Sequence, residues 1–256
     1  MQANKKTKEG NSHPDRNEQF LYIYKNVKQF QKASQPIISV DTKKKEMVGN
    51  YKNGGKEWSK KYQPIDVEAH DFPNAEMPKA APYGVYDIAR NEGWVSVGIS
   101  HDTAAFAVAT IREWCQKMGK KRYPHAKSIY ITADCGGSNS RRSRLWKMEL
   151  QKLADRLKID IHVSHFPPGT SKWNKIEHQM FSYISINWRG RPLTTYNVIV
   201  NLISNTRTKT GLQIRAEMDT NQYEIGIKIS DEDFKKINLT KCKFHGEWNY
   251  IIKSRQ

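Results

Sequence analysis

Two short apolar runs, each closed by an aspartate, constrain this chain more than any other feature. Ile37 to Val40 reads I-I-S-V and stops at Asp41, and Ser128 to Ala133 reads S-I-Y-I-T-A and stops at Asp134. Short apolar runs bounded by turn signals are buried strands. Each carboxylate should therefore emerge at the rim of a sheet rather than within it. In open sheets with parallel strands, the rim at the carboxyl ends is where ligands sit.

The elements around these runs define an α/β chain. Met1 to Arg16 is polar, basic and without periodicity, an arm. Glu18 to Ala33 has helical spacing, and Pro36 favours an extended entry into Ile37–Val40. M-V-G-N-Y, from Met47, is a second strand, and K-N-G-G-K a turn. Trp58 to Tyr83 has little periodicity and is expected to be a long loop within an insertion. Trp94 to Ser100 alternates like a third strand, and Asp102 or Thr103 can cap a helix over Ala104–Met118. After Ser128–Ala133 come a helix from about Ser140 to Leu157, a strand over Ile159–Phe166, a Pro-Pro-Gly break and a helix from Trp173 to Ile186. A helix over Thr194–Ser204 follows. The remainder mixes short strands, a helix starting at Ser230 and a last strand near Trp248–Ile252.

Three strands without intervening helices suggest an antiparallel meander, whereas strands alternating with helices suggest parallel βαβ units, so the sheet should be mixed. The expected organisation is an amino-terminal arm and helix over 1–35 and a catalytic domain over 36–190, with an insertion at about 52–92. A carboxy-terminal part over 191–256 packs on that domain or extends it.

Charge narrows the partner. The 256 residues carry 43 Lys and Arg against 26 Asp and Glu, a net charge of +17, which points to a polyanion and to nucleic acid ahead of a membrane surface. Cys115, Cys135 and Cys242 form no C-x-x-C pair, which argues against a disulfide framework or zinc ribbon and fits a reducing cytoplasm. The sequence contains no signal peptide and no apolar run of membrane-spanning length.

Within so basic a chain, acids at element ends stand out. Glu177 lies three residues after Asn174 on the helix from Trp173, which puts both near one face. Any single such acid is often a turn residue or a solvated helix residue; the order, spacing and element type of Asp41, Asp134 and Glu177 together carry the stronger reading. Gathered carboxylates repel, and a hard cation such as Mg²⁺ or Mn²⁺ relieves that repulsion. Two such ions, about 3.5–4 Å apart, can activate a water or a 3′-hydroxyl and stabilise the leaving oxygen in phosphodiester displacement.

Longer strings carry a resemblance. I-S-V-D-T-K-K-K-E, P-Y-G-V-Y-D-I-A, W-V-S-V-G-I-S-H-D-T-A-A-F-A, P-P-G-T-S-K-W-N-K-I-E-H, I-N-W-R-G-R-P-L, the early N-S-H-P-D-R and the closing H-G-E-W-N-Y occur along nearly the whole chain. In these the chain resembles bacterial insertion-sequence transposases of the ISAzo-thirteen-like group, DDE enzymes with a ribonuclease-H-like catalytic domain. The resemblance implies that Asp41, Asp134 and Glu177 are the catalytic and metal-binding D, D and E. It implies two Mg²⁺ ions (Mn²⁺ as a substitute), and partners that are transposon ends and target DNA. It also implies a homo-oligomer assembled on DNA in the bacterial cytoplasm, at the nucleoid. Family members look longer at the amino end, where a helix-turn-helix region is expected, so the chain is expected to be a fragment. Their string after the central acid reads like A-D-G-G-G-S-N; here Cys135 replaces the first glycine and is expected to shift the loop that aims Asp134.

Candidate DNA contacts surround the three acids. Lys43 and Lys45 follow Asp41; Arg141, Arg142 and Arg144 open the helix after Asp134; Lys172, Asn174, Lys175 and His178 flank Glu177. Trp58, Trp173 and Trp188 can stack on bases, with core packing favoured for the last two. His162 and His165 point to opposite faces of a strand, which argues against zinc. The reading is a transposase catalytic domain. Two alternatives stay open: a ribonuclease-H-like nuclease without strand transfer, and an inert DNA-binding remnant.

Overall fold

The computed structural model describes residues 13–68 and 77–255; residues 1–12 of the expected arm lie outside them. Helix α1 (Arg16–Lys32) leads into β1 (Ile37–Thr42) and the two-residue β2 (Glu46–Met47). Then come β3 (Lys79–Asp87), β4 (Glu92–Gly98) and α2 (Ala104–Trp114), which continues through a π turn at Cys115–Gly119 into α3 (Lys120–Arg122). Next are β5 (Ser128–Ala133), α4 (Arg144–Leu157) and β6 (Asp160–His165). A π segment, Glu177–Phe181, runs into α5 (Ser182–Asn187), followed by α6 (Tyr196–Ser204), β7 (Gln213–Asp219), α7 (Asp231–Lys235), β8 (Leu239–Lys241) and β9 (Asn249–Ile252).

The strands form one mixed sheet in the order β7-β4-β3-β1-β5-β6-β9-β8, with β2 paired to β3. β1, β3 and β4 make the antiparallel meander, and β1, β5 and β6 run parallel. The carboxy-terminal part extends both edges, β7 lying parallel to β4 and β9 antiparallel to β6. This is the α/β arrangement of meander plus βαβ units implied by the alternation of elements.

The second meander strand differs from expectation. It is β3, inside the stretch 52–92 taken as an insertion, and M-V-G-N-Y contributes only Met47 to a strand, the two-residue β2 shared with Glu46 of the preceding run. β3 is buried from Ala80 to Asp87, so it has no alternation to read, and Pro82 and Gly84 within it mimic a loop. Pro82 needs no donor here, and its carbonyl accepts from Lys43 N at 2.9 Å.

One face of the sheet carries α2 and α4 over Ile38, Val40, Ile129, Ile131 and Ala133. On the other face, α1 covers Ile37 and Tyr130 through Phe30, while the Glu177 helix and α6 cover Val95 and Val97. Side chains alternate along a strand. Ile37, Ser39 and Asp41 therefore share the face of the Glu177 helix, and Thr42 turns to the α2 side.

Candidate active site

Register sets the first two acids side by side. β1 pairs in parallel with β5, with Val40 opposite Ala133, so the next residues along the two strands are Asp41 and Asp134. Asp41 is still within β1, paired to Gly84 on its other flank.

The third acid is delivered by β1 itself. Ser39 accepts a hydrogen bond from Ile176 N at 3.0 Å and donates to Asn174 Oδ1; Asn174 Nδ2 donates to the Val40 carbonyl at 3.1 Å. Asn174 is fully buried, and its own carbonyl accepts from Glu177 N at 3.1 Å. These bonds satisfy the free N–H groups at the helix start and lock it onto the strand one side-chain repeat before Asp41. The helix widens to a π segment at Glu177–Phe181, an irregularity that often accompanies functional residues. Gly84 lets the helix lie flat: a Cβ there would come within 2.6 Å of Phe181, 2.7 Å of Met180 and 2.8 Å of Ile176.

The electrostatics follow from this crowding. Asp41 is 8% exposed and accepts a backbone bond from Thr42 N at 2.8 Å. Burial, then the Asp134 carboxylate, push its carboxyl up to about 8, and Glu177 and Asp102 act in the same direction. Burial also raises Asp134, against the Asn139 amide, which donates at 2.7 Å, and the Gly136 N–H. Glu177 is raised by burial, while Lys43 pulls the other way. Burial raises Asp87 at the end of β3 as well, but there the carboxylate accepts from Tyr123 Oη, Ala89 N and Arg90 N and serves a turn.

Some expected positions change meaning. Asn174 is a structural lock rather than a DNA contact, because all of its surface is inside the protein. Lys43 is buried, its Nζ 3.0 Å from Glu46 and 4.3 Å from the Trp188 ring centroid; Lys45 is exposed. Arg141 and Arg142 precede α4, whose cap is Ser143, so only Arg144 of the three is helical. Arg144 pairs with Asp231 at 2.6 Å and lies over Phe234, which commits it to the tail. Lys172, Lys175 and His178 are exposed beside Glu177, and His178 Nε2 bonds the Lys172 carbonyl. Trp188 is core, whereas Trp173 is 50% and Trp58 fully exposed. Cys135 does not take a positive φ; its thiol donates to the Phe166 carbonyl at 2.8 Å, so this position places no glycine requirement on the loop.

Other residues of the site carried weaker signals. Asp102 was legible only as a cap; the cap is Thr103, and Asp102 instead accepts from Thr42 Oγ1 at 3.1 Å and faces the acids. His165 is fully buried beneath Asp134. A groove of about 500 Å³ leaves Glu177 along Lys43, Lys44, Asn53 and Arg189. Its far wall is the loop near Gly54, held by Asn53 Nδ2 to the Trp188 carbonyl and by Gly190 N to the Gly54 carbonyl. Gly190 has φ +78, and a Cβ there would meet the Lys56 carbonyl carbon at 2.8 Å.

These elements make an α/β domain with an acidic centre at the carboxyl rim of a mixed sheet and a basic groove beside it. The chain belongs to the family described as the Rhodopirellula transposase DDE domain, whose sequence model matches residues 1–254. No curated protein matches it. Among solved structures it is similar to the Mos1 transposase paired-end complex with left transposon end, and to the Mos1 mariner paired end complex with Mn. In each case the identity is 13% and the TM-score 0.49, over 78% of this chain and 56% of the other. The Mos1 strand transfer complex is similar at 12% identity and TM-score 0.48. The chain spans a little over half the length of those transposases. Among the described residues, no helix is long and apolar enough to cross a membrane.

Proposed function

We propose that this chain is a DDE transposase catalytic domain that cuts DNA at the ends of an insertion sequence and joins the freed 3′-hydroxyl to target DNA. One observation carries the proposal beyond family membership: three acids far apart in sequence, Asp41, Asp134 and Glu177, act on one another inside a strongly basic chain. Their donor set fits divalent cations. All oxygen donors are hard, and the carboxyl of Asp41 is pushed up by burial and then by the Asp134 carboxylate, both of which a bound cation would oppose. Two Mg²⁺ ions held by these acids, with Mn²⁺ as a substitute, would neutralise the phosphodiester and polarise its attacking and leaving oxygens.

The protein's own contribution is placement. The β1–β5 register sets Asp41 beside Asp134, and the Ser39–Asn174 lock docks the start of the Glu177 helix on β1, so that the Glu177 carboxylate acts on Asp41. The exposed Lys44, Lys45, Lys172, Lys175 and Arg189, with Arg141, Arg142 and His178, offer cations and donors for the DNA backbone. The substrate is DNA in the bacterial cytoplasm, at the nucleoid, and the working form is a homo-oligomer that holds paired ends.

The test is nicking and strand transfer with Asp41→Asn, Asp134→Asn and Glu177→Gln in Mg²⁺. Each variant should stay folded and lose at least about 10³-fold of the cleavage rate. Full cleavage by folded Asp134→Asn would overturn the assignment, and cleavage without joining of a pre-cut end would make the chain a nuclease.

A further inference from the structure

Two of the strings noted in the sequence, N-S-H-P-D-R and H-G-E-W-N-Y, play no part in the acidic centre, yet they meet. His245 Nε2 lies 2.9 Å from Asp15 Oδ2, and His13 Nδ1 lies 3.9 Å from the same oxygen. One ligand atom from each of His13, Asp15 and His245 falls within 4.8 Å of the others, and all three residues are partly exposed, open to an ion. We propose that these three side chains form a binding site for a borderline-soft divalent cation of the Zn²⁺ class, which pins the amino-terminal segment to the last strand.

Several observations converge on this site. Tetrahedral Zn²⁺ with ligands at about 2.0–2.1 Å separates its ligand atoms by about 3.3 Å, between the two separations seen here. Asp15 occupies the N-cap of α1, yet its side chain makes no capping bond and faces His245 instead. Glu247 Oε1 lies 2.7 Å from His245 Nδ1, as in carboxylate–histidine–metal arrangements, where that bond fixes the tautomer and frees Nε2 for the ion. The His245 ring stacks on Trp248 at 4.3 Å, and its backbone is held at φ +43, an uncommon conformation for a non-glycine residue. His13 Nδ1 accepts the Asp15 N–H at 3.2 Å, a bond the ion would displace.

The site continues into the core. Gln19 and Asn249, each four residues beyond Asp15 and His245, exchange amide bonds at 2.8–2.9 Å, and Gln19 Nε2 also reaches the His165 carbonyl at 2.8 Å. The ion would thus close the outer end of a polar seam between α1 and β9.

The test uses the chelator-treated full chain carrying Asp41→Asn and Asp134→Asn, so that the acidic centre does not compete. Co²⁺ should give the intense visible absorption of a four-coordinate site at one ion per chain, Zn²⁺ should displace it, and Zn²⁺ should raise the thermal midpoint. His13→Ala and His245→Ala should each weaken binding by at least about tenfold, and Glu247→Gln by about 10–100-fold. If His245→Ala does not fold, His13→Asn at the exposed edge gives the same reading. Absence of stoichiometric Co²⁺ or Zn²⁺ binding, or binding unchanged in the His13 variants, would overturn the proposal. So would a midpoint that follows pH but not Zn²⁺, because His245 would then be an imidazolium bridging Asp15 and Glu247.

Discussion

His165 Nδ1 donates to the backbone carbonyl of Asp134 at 2.7 Å, and this bond ties an acid at the end of β5 to the end of its parallel neighbour β6. The far nitrogen, Nε2, accepts from Tyr250 Oη at 3.0 Å, and Tyr250 accepts from Trp146 Nε1 at 2.9 Å. Every proton in this chain has a place if the ring is neutral. His165→Phe leaves the Asp134 carbonyl without its ring donor and the Tyr250 O–H without its acceptor, although Trp146 still donates to Tyr250, so unfolding in urea should show a loss of about 1–3 kcal/mol. DNA nicking should fall at least about tenfold, because the carbonyl anchors the carboxylate. Tyr250→Phe keeps the anchor and should lose stability with a smaller fall in rate.

The same ring predicts an acid limb in stability. Burial holds the His165 pKa down to about 4 against an ordinary 6.5. The unfolded chain therefore binds more protons between these values. The contribution is full above about pH 6.5 and is lost as pH falls towards 4, an effect on the order of 3 kcal/mol. Urea midpoints across that range should fall for the wild type and flatten in His165→Gln; parallel slopes would count against a buried neutral ring.

Asp41 runs the other way. Its folded pKa is raised to about 8, chiefly by burial and then by Asp134, so relative to an ordinary aspartate its contribution is present below pH 3.8 and is lost as pH rises through 8. Mg²⁺ favours the ionised form and should offset that loss. The thermal shift produced by Mg²⁺ should grow from pH 6 to pH 8, with proton release seen by calorimetry in buffers of different ionisation enthalpy. Asp41→Asn should abolish the growth.

Gly84 predicts a rate effect without a charge change. A methyl at Gly84 would press on Phe181, Met180 and Ile176, the turns that carry Glu177. Gly84→Ala should cost about 1–3 kcal/mol as overpacking. Nicking should fall further than the folded fraction explains, because the helix must lift from Asp41. An unchanged rate in the folded fraction would separate Gly84 from the site.

Exposed and buried neighbours of Glu177 should separate in a salt titration. Lys175→Ala and Arg189→Ala should keep stability within about 0.5 kcal/mol and each lower the slope of log K against log salt by about 0.9 if they touch a phosphate. Asn174→Ala should lose about 1–3 kcal/mol of stability by taking the acceptor from the buried Ser39 hydroxyl and a donor from the Val40 carbonyl, and leave that slope unchanged.

Much of the architecture was legible in local pattern. β1 and β5 declared themselves as apolar runs, Thr103 was one of two cap candidates for α2, the helix over Thr194–Ser204 was read nearly to its bounds, and the alternation after Ser128 implied parallel strands. β3 was not legible, because burial on both faces erases the two-residue period and Pro82 and Gly84 read as loop residues. Asn174, Lys43 and Arg144 looked alike as polar residues near acids; their burial or their partners set them apart.

Which residues could ionise, where strands ended in acids, and the net charge of +17 that favours polyanions were all readable along the chain. These are properties of composition and short-range pattern. That Asp41 and Asp134 stand at the ends of adjacent parallel strands, that Ser39 and Asn174 dock the start of the Glu177 helix on β1, and that His165 lies beneath Asp134 depended on the fold. It also decided that His13 and Asp15 meet His245 across most of the chain length. The reason is physical: strand register and helix docking are settled by burial and hydrogen bonding between distant segments, and a pattern within one segment carries no record of its partner.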